Sequence, residues 1–237
     1  NGTINIKDII NGIRDNNDSH CPQTKLLCLE NTHNVCYGSA ISSEYFQEVK
    51  KAISPYNINL HIDGARIFNA SIALNISVKS LVQQADSVTC CLSKGLGCPS
   101  GSLILGDKNF IIKARKIRKA LGGGMRQAGV LAAAGLYAFE YMVNRLNEDH
   151  MNAQELANGL SEIAQISIDV NKVATNLIFF HLNITDISDN DFLQELLKHN
   201  IKIDSKGGSN FRIATHSGFE NNSIEKVIKT IKLILCK

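Results

Sequence analysis

Asn59-Leu60-His61-Ile62-Asp63-Gly64-Ala65-Arg66, running on into Ile67-Phe68-Asn69-Ala70, is the stretch that decides the fold. Strand alternation over 59–63 sets His61 and Asp63 on one face, Gly64 marks an abrupt exit, and 65–73 carry helical spacing. The same grammar extends outward. Residues 25–30 (KLLCLE) form a continuous apolar run, the pattern of a strand buried on both faces. Helical spacing over 42–53 follows, with Ser43 and Glu44 suited to a first turn. A short helix at 80–84 leads to a strand at 87–92 (SVTCCL), a loop at 95–99, and a strand at 101–106 (GSLILG). Strands alternating with helices predict an α/β domain with a largely parallel sheet.

Upstream, 4–13 reads as a short helix. Downstream, 109–120 is a helix carrying Lys113, Arg115, Lys116, Arg118 and Lys119, the composition of a solvated face. Residues 126–160 read as one long Ala- and Leu-rich helix, with a break near Asp149. Composition changes near Ile163, after which short strands at 166–170, 176–182, 201–205 and 211–215 mix with helices at 191–198 and 223–235. That order predicts a small α+β domain with an antiparallel sheet. The expected division is a cofactor-binding domain at 1–160 and a small domain at 161–237.

A net charge of +3 without a basic block gives no reason to expect nucleic acid, and no apolar run is long enough to predict a membrane span. The seven cysteines (21, 28, 36, 90, 91, 98 and 236) show no paired CxxC framework, so free thiols in a reducing cytoplasm are expected, with no metal site. The chain opens at Asn1 without Met and reads as truncated.

Four places could carry chemistry. Asp63 ends its strand where a parallel sheet opens onto a ligand crevice, with Arg66 beside it; capping the next helix is an equally good use for that carboxylate. Lys94, in Ser93-Lys94-Gly95-Leu96-Gly97, directly follows an apolar strand. A lone lysine there is ordinarily just solvated, but it lies one strand–helix–strand unit after Asp63. A pyridoxal cofactor needs such a pair, an amine for a Schiff base and a carboxylate to keep the pyridine nitrogen protonated. Third, Lys119 and Arg126 flank Gly122-Gly123-Gly124, whose amides could meet an anion, although a flexible turn is the simpler reading. The segment lacks the lysine–hydroxyl ending of a nucleotide loop, and the glycines at 95, 97 and 101 miss the dinucleotide spacing. Fourth, Arg212 sits inside an apolar strand and needs an anionic partner, either a substrate carboxylate or a structural carboxylate.

Read together, 30–34 (ENTHN), 61–70 (HIDGARIFNA), 91–97 (CLSKGLG), 101–106 and 118–138 (RKALGGGMRQAGVLAAAGLYA) resemble low-specificity L-threonine aldolases, in order and spacing and along the whole chain. Those are fold-type-I, aspartate-aminotransferase-like pyridoxal enzymes. The resemblance implies a partial large domain plus a small α+β domain, pyridoxal 5'-phosphate as cofactor, and a homo-oligomer built as a dimer of dimers. By position it implies Lys94 as the Schiff-base lysine, Asp63 at the pyridine nitrogen and Arg66 near the phenolic oxygen. Lys119 and Arg126 match residues that reach the cofactor phosphate, and Arg212 matches the one that binds the amino-acid carboxylate. His20 matches a histidine near the substrate hydroxyl less closely, because its flanking residues differ. The implied reaction cleaves L-threonine or its allo epimer to glycine and acetaldehyde. A β-eliminating lyase of the same fold, or an inactive remnant serving as an interaction module, would share these residues. The resemblance also implies roughly a third more chain upstream, with a glycine-rich phosphate turn and a histidine stacked on the cofactor ring.

Overall fold

The computed structural model describes residues 1–14, 19–184, 186–219 and 221–236. The chain enters through α1 (Ile6–Asn11), whose N-cap Asn5 accepts from the Lys7 amide, and passes into β1 (Leu26–Glu30). Next comes α2 (Ser43–Ile53), which buries Phe46, Val49 and Ile53 on one stripe. It ends where Asn57 takes a left-handed conformation after the Ser54–Tyr56 turn. Then follow β2 (Asn59–Asp63), α3 (Ile67–Leu74), α4 (Val78–Leu81), β3 (Ser87–Cys91) and β4 (Ser102–Gly106). The strands stand in the order β1-β2-β3-β4; the first three are parallel and β4 is antiparallel to β3. The segment between Cys91 and Ser102 holds no helix to cross over, so β4 returns antiparallel.

One face of this sheet is packed. Leu29, Leu60, Ile62, Val88 and Cys90 meet Phe46, Val49, Ile53, Ile67 and Leu81 from the helices. The alternate residues face the other way, and Leu26 is 51% exposed. The two-sided burial expected of 25–30 is therefore not observed. An unbroken apolar run signals cover on both sides, and the described residues provide helices on one side only.

α5 (Lys108–Ala120) begins at Asp107, whose carboxylate accepts from the Phe110 amide at 2.7 Å. No residue of this helix is buried, and Ile112 and Ile117 are exposed along with its cations. The single helix expected over 126–160 is instead α6 (Gly129–Tyr137), a wider π-turn (Ala138–Met142) and α7 (Leu146–Ser161). The interruption lies before Leu146, not at Asp149, which is wholly buried inside α7. The break lets Ala138 and Leu146 both pack on Leu92, Leu96 and Cys98.

The second sheet uses β5 (Ile166–Ser167), β6 (Leu177–Leu182), β7 (Asp204–Gly207) and β8 (Asn210–Ala214), ordered β5-β6-β8-β7 and antiparallel throughout, as expected. The strand expected at 166–170 is cut short by a turn at Val170–Lys172, and the one expected at 201–205 starts later, at Asp204. α8 (Asp189–Lys198) and α9 (Asn221–Leu235) join α7 over this sheet, where Phe180, Phe192 and Phe211 interlock. The two sheets meet where Thr175 Oγ1 donates to the Gly38 carbonyl at 2.9 Å and Tyr37 packs edge-on against Phe179. Among the described residues no helix is long and apolar enough to cross a membrane.

Candidate active site

Asp63 closes β2 opposite Thr89 of β3. Its Oδ1 accepts from the Ala65 amide at 3.1 Å and from the Thr89 hydroxyl at 3.4 Å. Gly64 is required next: its amide donates to the Thr89 carbonyl at 2.8 Å, and a Cβ there would stand 2.7 Å from that same oxygen. This tight exit aims the chain into α3, whose N-cap position is Arg66. Asp63 thus braces the turn ahead of the helix and does not cap its first amides. Register and burial put His61, Asp63, Thr89 and Cys91 on the face of the sheet away from the helical core, the face His61 shares with Ser87 through a 2.8 Å contact.

Arg66 is half-buried, and among the described residues it makes no ion pair. Burial lowers its pKa most, and the Arg212 charge lowers it further; Glu30, Cys91 and Asp63 oppose the shift. Two guanidiniums therefore lie within each other's field at the C-terminal rim of the first sheet, and an anion between them would relieve the repulsion. Arg212 reaches this rim from β8 of the second sheet. Its Nη1 donates to Asn34 Oδ1 at 2.6 Å and its Nη2 to Asp204 Oδ2 at 2.7 Å. Of the two partners for Arg212 left open by the sequence, the structure shows the structural carboxylate, Asp204. A cavity of about 560 Å³, bounded by Asn34, Tyr37, Phe179, His181 and Lys206, opens beside it.

Lys94 is exposed in the turn directly after β3, closed by the Gly97 amide donating to the Lys94 carbonyl at 2.8 Å. It stands on the same strand-end rim as Asp63. Lys119 and Arg126 are placed differently. They lie in an exposed segment and, among the described residues, make no hydrogen bond or ion pair with Asp63, Arg66 or Arg212. The glycines between them do not open a helix. The Gly122 and Gly123 amides close α5 by donating to the Lys119 and Arg118 carbonyls, and α6 starts only at Gly129. His20 is exposed in a turn ahead of β1, whereas Asp63 and Glu30 mark the opposite ends of their strands.

The sequence reading assigned no role to Asn34 or Thr89. Thr89 could have been found by carrying the alternation of β2 across to β3. Asn34 could not, because its contact with Arg212 spans 178 positions. Asn31, in the same quoted segment, is buried and exchanges two hydrogen bonds with the Ile41 backbone, which fixes the loop that presents Asn34.

Comparisons with known proteins bear on the family and the fold. The model of the beta-eliminating lyase family matches residues 1–184. A probable low-specificity L-threonine aldolase 2 of Arabidopsis thaliana is 51% identical over 179 residues, covering 75% of this chain and 50% of that protein. The low specificity L-threonine aldolase of Escherichia coli K12 is 46% identical over 178 residues, covering 75% and 51%. The chain spans about half the length of these curated relatives. Among solved structures, a putative L-allo-threonine aldolase from Listeria monocytogenes superposes with a TM-score of 0.80 at 18% identity, over 99% of this chain and 66% of that one. A threonine aldolase from Leishmania major gives 0.77 at 17%, over 98% and 68%. At such identities the superpositions establish the fold, that of the aminotransferase-like enzymes, and nothing finer. With a family model matched from residue 1 to residue 184, the chain belongs to the beta-eliminating lyase family.

Proposed function

We propose that this chain supplies part of a pyridoxal 5'-phosphate-dependent aldolase that cleaves L-threonine or L-allo-threonine to glycine and acetaldehyde. The observation that carries the reading is the strand-end rim of the first sheet, where Asp63 closes β2 against Thr89 and Lys94 follows the end of β3. The residues fit the cofactor: Lys94 offers an amine, and among the described residues Asp63 has a carboxylate oxygen, Oδ2, with no hydrogen bond and Arg66 is a cation with no ion-pair partner. When bound, the cofactor supplies an electron sink for the cleaved Cα–Cβ bond.

The chain's own residues do the rest. Lys94 would hold the cofactor through its amine. Asp63 holds a proton at the pyridine nitrogen, and Arg66 neutralises the phenolic oxygen. Arg212 would grip the substrate carboxylate while keeping its bonds to Asn34 and Asp204, and so would orient the substrate. Lys119 and Arg126 are assigned to the cofactor phosphate, reached across a subunit boundary, and His20 to the β-hydroxyl, where water is the alternative base. The exposed Ile117, Val130 and Tyr137 support assembly as a homo-oligomer, a dimer of dimers, and a small amino acid is the expected substrate. Seven free cysteines suit the cytoplasm.

The test adds pyridoxal phosphate, looks for the yellow protein band, and reduces with borohydride. Label should map to Lys94 and vanish in Lys94→Ala, and threonine should release acetaldehyde. Label without acetaldehyde, but with pyruvate and ammonia from serine, would favour the β-elimination that the family's name describes. No label on Lys94 would remove the reading for this chain.

A further inference from the structure

Beneath the rim lies a buried polar joint that the reaction itself does not use. Asn69, 2% exposed, projects from α3 three positions after Arg66. Its Nδ2 stands 3.1 Å from His150 Nε2 on α7 and donates to Asn176 Oδ1 at 3.4 Å. Asn176, just ahead of β6, donates its own Nδ2 to the Thr215 carbonyl at 2.9 Å and accepts the Thr215 amide at 3.0 Å. Thr215, wholly buried three positions after Arg212, donates its hydroxyl to the Asp149 carbonyl at 2.5 Å. Gly95 completes the set. A Cβ on this neighbour of Lys94 would stand 3.3 Å from Asn69 Oδ1 and 2.8 Å from Leu146 Cδ2. The joint therefore touches, at one to three residues' remove, the segments bearing Arg66, Lys94 and Arg212.

We infer that Asn69, braced by His150, is a positioning residue that fixes the separation between the Lys94 turn and the Arg212 strand, so that one amino acid can engage both. The inference rests on the function proposed above for those two residues. Buried amides are costly unless every polar atom is satisfied, and an apolar side chain could not hold two sheets and a helix in one relative position. The second sheet and α7 reach Asn69 through directional bonds, and the Lys94 turn lies against it at Gly95, where no side chain would fit between them. Burial pushes the His150 pKa down to about 4, so its ring is neutral at ordinary pH and can accept from the Asn69 amide. A substrate gripped at its carboxylate by the second sheet while its other end sits at the rim of the first would feel any slip as a weakened hold.

The experiment compares the intact protein with Asn69→Ala, His150→Ala and His150→Gln, by amide exchange, borohydride fixation and steady-state kinetics. In Asn69→Ala and His150→Ala, amide exchange should rise about tenfold or more in 93–98 and in 214–219 together, with β1 and β6 unchanged. Fixation at Lys94 should persist, while KM for threonine should rise about tenfold and kcat less. His150→Gln, which keeps an acceptor, should return most of the loss. Exchange that rises only within 67–74, or everywhere at once, or a kcat that falls with the folded fraction at unchanged KM, would overturn the inference. Absent cofactor fixation in the unsubstituted protein would count against the proposed function, whereas the exchange comparison would still decide whether the two loops move as one.

Discussion

The two sheets each have four strands, yet they meet water in opposite ways. In the second sheet, Phe211 and Ile213 of β8 are 0% and 6% exposed under three helices; in the first, Leu103, Ile104 and Leu105 of β4 are 39%, 45% and 48% exposed. The second sheet closes its own core from sequence-local elements. The first has a packed face and an open one, and Asp63 and Lys94 stand at the rim of that sheet, with Arg212 reaching across from β8 of the second. Completeness of packing and placement of function are thus separated within one chain, as expected where side chains must remain available to ligands or to further polypeptide.

Four measurements would break or sharpen that contrast. Phe211→Ala, which empties the interlock with Phe180 and Phe192, should cost about 3–5 kcal/mol in urea unfolding. Ile104→Thr in β4 should cost less than about 0.5 kcal/mol; comparable losses would dissolve the distinction between the sheets. Acid should act next, through His150. Its folded pKa, about 4, lies below the ordinary 6.5, so the unfolded chain binds more protons between those values. That contribution is whole above pH 6.5 and is lost as pH falls toward 4, on the order of 2–3 kcal/mol after allowance for partial exposure. Asp149, raised mainly by burial, acts in the opposite sense from pH 3.8 upward. A His150→Gln protein whose midpoint keeps the same slope across that window would contradict the assignment. Gly64→Ala, forced against the Thr89 carbonyl, should cost about 1–3 kcal/mol and loosen the Asp63 turn. Smallest is a pair of helix caps. Ser188 accepts from the Asp191 amide at 3.1 Å, whereas Ser42 makes no side-chain cap bond. Alanine at 188 should cost about 1 kcal/mol and at 42 only a few tenths, read from thermal midpoints.

Much of this was legible in the residues, for identifiable reasons. Alternation located β2 and the Asp63 exit because strand periodicity is local, and the change in composition near Ile163 announced the antiparallel sheet. Asp63 and Lys94 fell on one rim because a strand–helix–strand unit brings successive strand ends to the same side. What escaped were facts of long sequence separation. The Asn34–Arg212 bond and the Asn69–Asn176 bond have no local signature. Burial of 25–30 was misjudged because an apolar run reports the cover a strand requires, not the cover the described residues provide. The split before Leu146 was misplaced because a π-turn leaves helical composition intact on both sides. The glycines at 122–124 invited an anion reading, yet two of their amides are spent on ending α5.

β4 carries no charge from Ser102 to Gly106, and among the described residues no strand lies beyond its outer edge. Because consecutive residues on both of its faces are apolar, side-chain alternation would not dictate how a second extended chain aligns along it. Copies meeting there would zip in mixed alignments and grow polydisperse ladders in place of closed pairs. The cations of the neighbouring α5 are the only brake of that kind beside the strand in the described residues, a repulsion that shrinks as ionic strength rises. Salt, usually added to keep proteins apart, would here release the edge.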